Sequence, residues 1–422
     1  MAAESAPDRG CHKGEMKLLD SVDVDLWSSS SFAAGHPHDQ YRWMREHDPV
    51  HWNDEPAGRG FWAVTRYDDV KLVGKDAALY SSNWGMMMQD YPEEELERTR
   101  NMMMFMDPPK HTRYRLLVNR EFIPRKAAGW QTQIEGLTRR IINEVCERGE
   151  CDLVEDIAGK LPSYVVAELL GIPLEDGVRL YQLTETMHSA ADAVTMEQRG
   201  AASEEMLAYG ATVFEQKSQA PTNDLASKLI QSEIDGDRLT PDEFQQFFLL
   251  LVNAGGDTTR NLVGSGVLAL LDAPDERARL QADVQALMPR AVEELLRYCS
   301  PVVHQRRTAT RDTELGGKHI RAGDKVIMYY GSANRDEAVF VDPDRLDVGR
   351  SPNEHVAFGG GGPHHCLGAH LARVEIAAMF SELLTRLPDL ELAGQPTWLA
   401  SNFISGPTHV PVRFTPQPQL TA

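Results

Sequence analysis

The tightest constraint on this chain is one long helical segment with an unusual middle. Thr240-Pro241-Asp242-Glu243 opens it. The threonine caps, the proline suits the first helical position, and the glutamate completes a capping box. The apolar run continues to about Leu271 and ends before Pro274. At 1.5 Å per residue, thirty-odd residues make a rod of about 45 Å. Such a helix crosses a whole globular molecule, and the other elements must be arranged around it. It is too polar to span a bilayer, because Asp257 and Arg260 fall inside the stretch from Phe247 to Leu271. At its centre stands Ala254-Gly255-Gly256-Asp257-Thr258-Thr259. Each glycine costs ~1 kcal/mol relative to alanine in a helix. Either a ligand approaches the backbone there, or a neighbouring helix crosses over small residues. Thr258 can bond back to the Ala254 carbonyl, which loosens the ladder and lets a small molecule or water insert. An Asp beside a Thr in an apolar helix points to proton delivery.

The rest of the chain reads as mostly helical with a few small sheets. Val50-His51-Trp52 and Phe61 to Val64 form strands around a Gly/Pro turn. Leu137, Ile141, Ile142 and Val145 mark one face of a helix. Leu161 to Leu170 forms another, stopped by Gly171. Residues 1 to 25 lack a period and read as a loose tail. Seven methionines crowd two clusters: Met86 to Met88, and Met102, Met103, Met104 and Met106. They serve either as flexible core filling or as an adaptable lining for an apolar ligand.

Composition narrows the function classes. The net charge of −20 over 422 residues excludes a general nucleic-acid binder and polybasic docking on an anionic membrane. Five scattered cysteines do not make a disulfide framework, and no signal-peptide run opens the chain. A cytoplasmic protein is expected. Length alone allows two or three domains, or one large one.

The remaining motif is Phe358-Gly359-Gly360-Gly361-Gly362-Pro363-His364-His365-Cys366-Leu367-Gly368, ahead of a helical run near Ala369. It lacks the Gly-Lys-Ser/Thr ending of a phosphate loop. Zinc would have to recruit His364, Cys366 and His370 without a second ligand pair nearby. A lone thiolate at a helix N-terminus remains, either as a nucleophile or as an axial ligand to haem iron.

Together these motifs resemble the cytochrome P450 family over nearly the whole chain. Asp107 to Arg115 resembles the family's haem-side helix, and Ala254 to Thr259 its oxygen-binding segment. Glu294-Leu295-Leu296-Arg297 is similar to its ExxR motif, Pro343 to Leu346 to the segment that follows, and Cys366 sits in its cysteine signature. One departure is clear: Phe358 lies eight residues before the cysteine, where the family places its aromatic seven before.

The resemblance implies a mainly α fold in one domain over residues 1–422, with haem between the long helix and the cysteine loop. It makes Cys366 the ligand of the iron of haem b. His111, Arg115, Arg307 and His364 match the propionate partners, and Asp257 with Thr258 the acid–alcohol pair for proton delivery. Glu294 and Arg297, with Arg345 or Arg350, form the structural network behind the haem. The substrate walls fall at Met103, Met104, Ala254, Val302, Val303, Phe403 and Ile404, which are mostly apolar. The activity implied is hydroxylation of an apolar small molecule with dioxygen. The chain looks most like members acting on steroids, terpenoids or branched aliphatics; a macrolide or other secondary metabolite is the alternative. No flavin or nicotinamide fingerprint is present, so electrons come from a ferredoxin and its reductase. Six cations and one acid lie between 110 and 126, the docking face expected for an acidic ferredoxin on a monomer. A non-catalytic haem sensor and a zinc protein are the competing classes.

Overall fold

The computed structural model describes residues 22–56, 58–188, 194–234 and 236–420. Most of the expected N-terminal tail lies outside them. The helices that frame the molecule are α1 (His38–His47), α2 (Tyr67–Lys75), α3 (Lys110–Asn119), α4 (Gln131–Val145) and α5 (Lys160–Leu170). They continue with α6 (Leu174–His188), α7 (Met196–Gln219), α8 (Pro241–Asp272), α9 (Val284–Cys299) and α10 (Ala369–Arg386).

The long helix forms as its ends dictate. The Thr240 side chain accepts from the Glu243 amide while Glu243 reaches back to the Thr240 amide, so both halves of the capping box are present. The helix runs 32 residues and stops at Ala273, before Pro274. It packs against α5, α6 and α7 on one side and α9 and α10 on the other. Phe244, Phe247 and Phe248 are fully buried near its start. Each such side chain contributes about 1.5–3 kcal/mol of burial.

The two glycines do not break the helix, which is continuous through residues 254–259. A β-carbon at Gly255 would come within 2.6 Å of the Val166 side chain on α5. One at Gly256 would meet the Tyr181 ring of α6 at 3.3 Å. The glycines therefore serve a close helix crossing. Of the two readings left open by the sequence, the structure selects that one.

The expected helix at Leu137 to Val145 lies within α4 and buries the anticipated face. Helix α5 ends on Gly171 in the left-handed region, φ 67°. The principal sheet has five strands: β1 (Val50–Asn53), β2 (Phe61–Val64), β3 (Tyr80–Ser81), β4 (His304–Ala309) and β5 (Lys325–Tyr329). Their order is β1-β2-β5-β4-β3. All neighbours are antiparallel except β2 and β5, which are parallel. The helical core surrounds α8, and smaller cores lie on the two faces of the sheet. Among the described residues, no single helix is long and apolar enough to cross a membrane. The four described cysteines are free.

Candidate active site

The cysteine loop is pinned to α2 through glycine. Gly359, Gly361 and Gly362 have φ values of 100°, 97° and 76°. A β-carbon at Gly360 would come within 2.7 Å of the Val70 carbonyl, and one at Gly362 would collide with the Gly74 carbonyl. Backbone lies on backbone here, which only glycine permits. The Cys366 amide still donates to the Phe358 carbonyl at 2.9 Å, closing the loop. Phe358 lies beneath the Arg373 guanidinium, 4.6 Å from the ring centre.

Cys366 is exposed at the end of the loop, close to the charges of Arg115 and Arg373. Burial pushes the thiol up; the Gly368 amide and the charges of Arg115 and Arg373 oppose it. A bound metal cation is what turns such a thiol into a thiolate at neutral pH. On α8, Ala254 is exposed and Thr258 half-buried in mid-helix, while Gly256, Asp257, Thr259 and Arg260 are buried. The Thr258 hydroxyl donates to the Ala254 carbonyl at 3.2 Å. Arg260, one turn beyond Asp257, pairs with Glu185 of α6 at 3.0 Å.

Four bases converge beside the loop. The His111 and His364 rings are 4.2 Å apart. His364 Nε2 lies 3.0 Å from the Met106 carbonyl and 3.1 Å from the Ser82 hydroxyl. Arg115 donates to the Pro363 carbonyl at 3.1 Å, and Arg307 on β4 donates to the Arg306 carbonyl at 2.7 Å. Both ring nitrogens of His111 are buried without a partner. Burial, then the charges of Arg115 and Arg307, hold His111 down at about 4. Burial and the charges of Arg307 and His111 hold His364 well below its usual value. Asp107 exerts a favourable field on Arg307, but its carboxylate accepts from Ser81 and the Ser82 amide. None of the four bases makes an ion pair among the described residues. Unpaired buried charge costs several kcal/mol, so the two guanidiniums, with two neutral imidazoles beside them, fit an anion with two carboxylates, as a haem carries. The same geometry takes the zinc grouping apart, since the His364 ring is directed at Ser82 and Met106.

Behind this region lies a buried ionic network. Arg297 donates twice to Glu294 at 2.8 Å, and both are fully buried. Arg297 also donates to the Asn334 and Pro343 carbonyls at 2.8 Å. The third cation is Arg350, which contacts both Glu294 oxygens at 3.0 and 3.1 Å. Arg345 offers only its backbone carbonyl to Arg297; its side chain is exposed and faces Glu276. Arg345 as the network side chain is therefore corrected to Arg350. Asn353, which nothing in the sequence flagged, also donates to Glu294 at 3.1 Å. A second pair was missed, although its members adjoin known motifs. Arg373, one turn into α10, donates to both oxygens of Glu293 at 2.6 and 2.8 Å. Burial raises Glu293, but bonds from Arg373 and His355 override it and hold it at about 2.

The expected pocket walls assemble in part. Val302 bridges Ile404, and the Val303 amide donates to the Phe403 carbonyl at 2.9 Å. The Val303 side chain, however, is fully buried among Tyr41, Met44 and Tyr329. That burial removes it from the wall. Met103 is core, with Met102 and Met106, while Met104 is half-buried against them. Most of this methionine group therefore fills the interior.

The cytochrome P450 family model matches residues 161–395. A methyl-branched lipid omega-hydroxylase of Mycobacterium tuberculosis is 39% identical over 365 residues, 85% of each chain. A steroid C26-monooxygenase of Rhodococcus jostii is 35% identical over 92% of this chain and 83% of its own. Among solved structures, a Mycobacterium marinum cytochrome P450 in complex with pseudoionone superposes with a TM-score of 0.88 at 37% identity. That match covers 93% of this chain and 99% of the other. Similarity at this level, over most of both chains and across the motifs described, has one reading: the chain belongs to the cytochrome P450 family and is a haem-thiolate monooxygenase.

Proposed function

We propose that this enzyme hydroxylates an apolar lipid, a methyl-branched aliphatic chain or a steroid side chain, with haem b as its cofactor. Bound haem supplies the thiolate-ligated iron that cleaves dioxygen and inserts one oxygen atom into a C–H bond. The protein's part is to hold that group, keep water away and move protons. Cys366 gives its sulfur to the iron. Arg115 and Arg307 neutralise the propionates while His111 and His364 offer ring N–H groups to them; two buried guanidiniums without an ion pair, beside the unpartnered His111 ring, carry this assignment. Thr258 holds a proton at its hydroxyl, and Asp257 one residue away brings protons inward. Glu294, Arg297 and Arg350 keep the loop's support rigid. The whole chain acts as one haem-holding unit.

The substrate class rests on two relatives named for methyl-branched lipids and steroids. Ala254, Val302, Phe403 and Ile404 are apolar and suit such a ligand. Electrons come from a ferredoxin and its reductase, with the exposed Lys110, Arg120, Arg125 and Lys126 as the docking face of a monomer. A spectral-shift titration tests the substrate class. Methyl-branched fatty acids and sterols are expected to move the haem absorption band at micromolar concentration, while macrolides leave it in place. The reverse order would transfer the assignment to secondary metabolites.

A further inference from the structure

His304 heads β4, is fully buried, and has no part in the haem site described above. Its Nδ1 lies 2.7 Å from the Asn402 carbonyl. A carbonyl only accepts, so Nδ1 carries the proton and Nε2 the lone pair. The same ring stands edge-on to Phe403, with centroids 5.4 Å apart and planes at 70°. The turn at 401–405 is also held by backbone, from Val303 to Phe403, Val302 to Ile404 and the Ser405 amide to the Pro301 carbonyl at 2.8 Å, and by side chains: Asn402 donates to the Trp27 carbonyl at 2.7 Å, and the Ser401 hydroxyl accepts from the Phe403 and Ile404 amides. Those bonds set how close the turn comes to β4. The His304 bond holds the carbonyl end of the Asn402–Phe403 peptide, whose amide end is on Ser401, and the His304 ring is the aromatic neighbour of the Phe403 side chain.

The far side of the imidazole is equally constrained. Tyr329, its cross-strand partner, lies 6.0 Å away, Tyr41 stands 5.5 Å from Tyr329, and His36 stands 6.0 Å from Tyr41. His36 Nε2 is 2.8 Å from the Ser300 carbonyl, so its Nδ1 also carries a lone pair. His304 Nε2, His36 Nδ1 and the hydroxyls of Tyr41 and Tyr329 are all buried without a protein partner. His38, whose ring stands 5.5 Å from His36 and 6.1 Å from Tyr41, also has a buried Nδ1 without a protein partner. Burial keeps His36 and His304 neutral, at about 4. A flipped imidazole would lose its Nδ1 bond to the Asn402 carbonyl.

We propose that His304 is a specificity-determining positioning residue: through Nδ1–H and its ring edge it sets where Phe403 stands in the substrate pocket. The proposal rests on the reading of Phe403 as a pocket wall. Azole ligands test it on the haem-loaded enzyme without a known substrate. Imidazole reports on the iron alone, whereas 4-phenylimidazole reaches the walls, so the ratio of their dissociation constants reads the pocket. An Asn amide nitrogen can stand where Nδ1 stands; that of Gln reaches toward Nε2. His304→Asn is expected to keep the ratio within about twofold, and His304→Gln to reduce the preference for 4-phenylimidazole about tenfold. Phe403→Ala is the control for the wall. If Phe403→Ala moves the ratio and His304→Gln does not, or if Asn and Gln lose it equally, the positioning role is overturned. If Phe403→Ala leaves it unmoved, the wall reading fails, and the inference with it. Nitrogen NMR on the unmodified protein adds a check that needs no variant to fold: the His304 proton is expected on Nδ1, and finding it on Nε2 overturns the proposal.

Discussion

Thr258 places its hydroxyl on the half-buried face of α8 and bonds back to Ala254, while Asp257 beside it is buried. That arrangement holds a proton at one atom and a carboxyl one step behind it. Thr258→Ala is expected to keep substrate binding while uncoupling turnover, so that reductant is consumed and hydrogen peroxide released. A peroxide assay against product yield checks this, and unchanged coupling would remove Thr258 from proton delivery. Both residues were legible because polar side chains in an apolar helix stand out. Arg350 was less so. Arg345 and Arg350 are equally placed in the chain, and only the turn between them decides which side chain points inward. Val303 misled for a related reason: its backbone holds Phe403, but its side chain falls on the opposite side of the sheet.

At the scale of elements, α9 and the segment from Pro343 to Asn353 are joined through one carboxylate. Glu294 accepts from Arg297, Arg350, Asn353 and the Asp347 amide, all within 3.1 Å. Removing one partner of a buried pair costs about 3–5 kcal/mol. Removing an exposed one costs about 0–1 kcal/mol. Arg350→Ala is therefore expected to lower the melting temperature strongly and Arg345→Ala hardly at all; equal effects in thermal melting would contradict the corrected network. The two ends of α8 and the stop of α5 were readable because caps are local chemistry. The role of Gly255 and Gly256 was not, because Val166 and Tyr181 meet them only in the folded molecule.

Across the whole molecule, an acidic chain gathers basic residues on two levels beside the cysteine loop. His111, Arg115, Arg307 and His364 turn inward, while Lys110, Arg120, Arg125 and Lys126 stay exposed on and just beyond α3. Leu116 is also exposed there, between charged neighbours, which suits a protein partner. Reduction by an acidic ferredoxin is expected to slow as salt rises and to lose that dependence when Arg120 and Arg125 are reversed in charge. Stopped-flow reduction at several ionic strengths checks this, and a rate indifferent to both would place docking elsewhere. The fold class and the cysteine were both legible from motif order along the chain. The ring cluster behind His304 was not, since His36 and Tyr41 lie hundreds of residues before His304 and Tyr329 in sequence. The central claim is that Cys366 sulfur holds a haem iron, and one spectrum tests it most directly. The reduced carbon monoxide complex of the purified protein is expected to absorb at about 450 nm, the band of thiolate ligation, and Cys366→His to abolish that band. A colourless protein, or a band at about 450 nm that survives Cys366→His, would contradict the account.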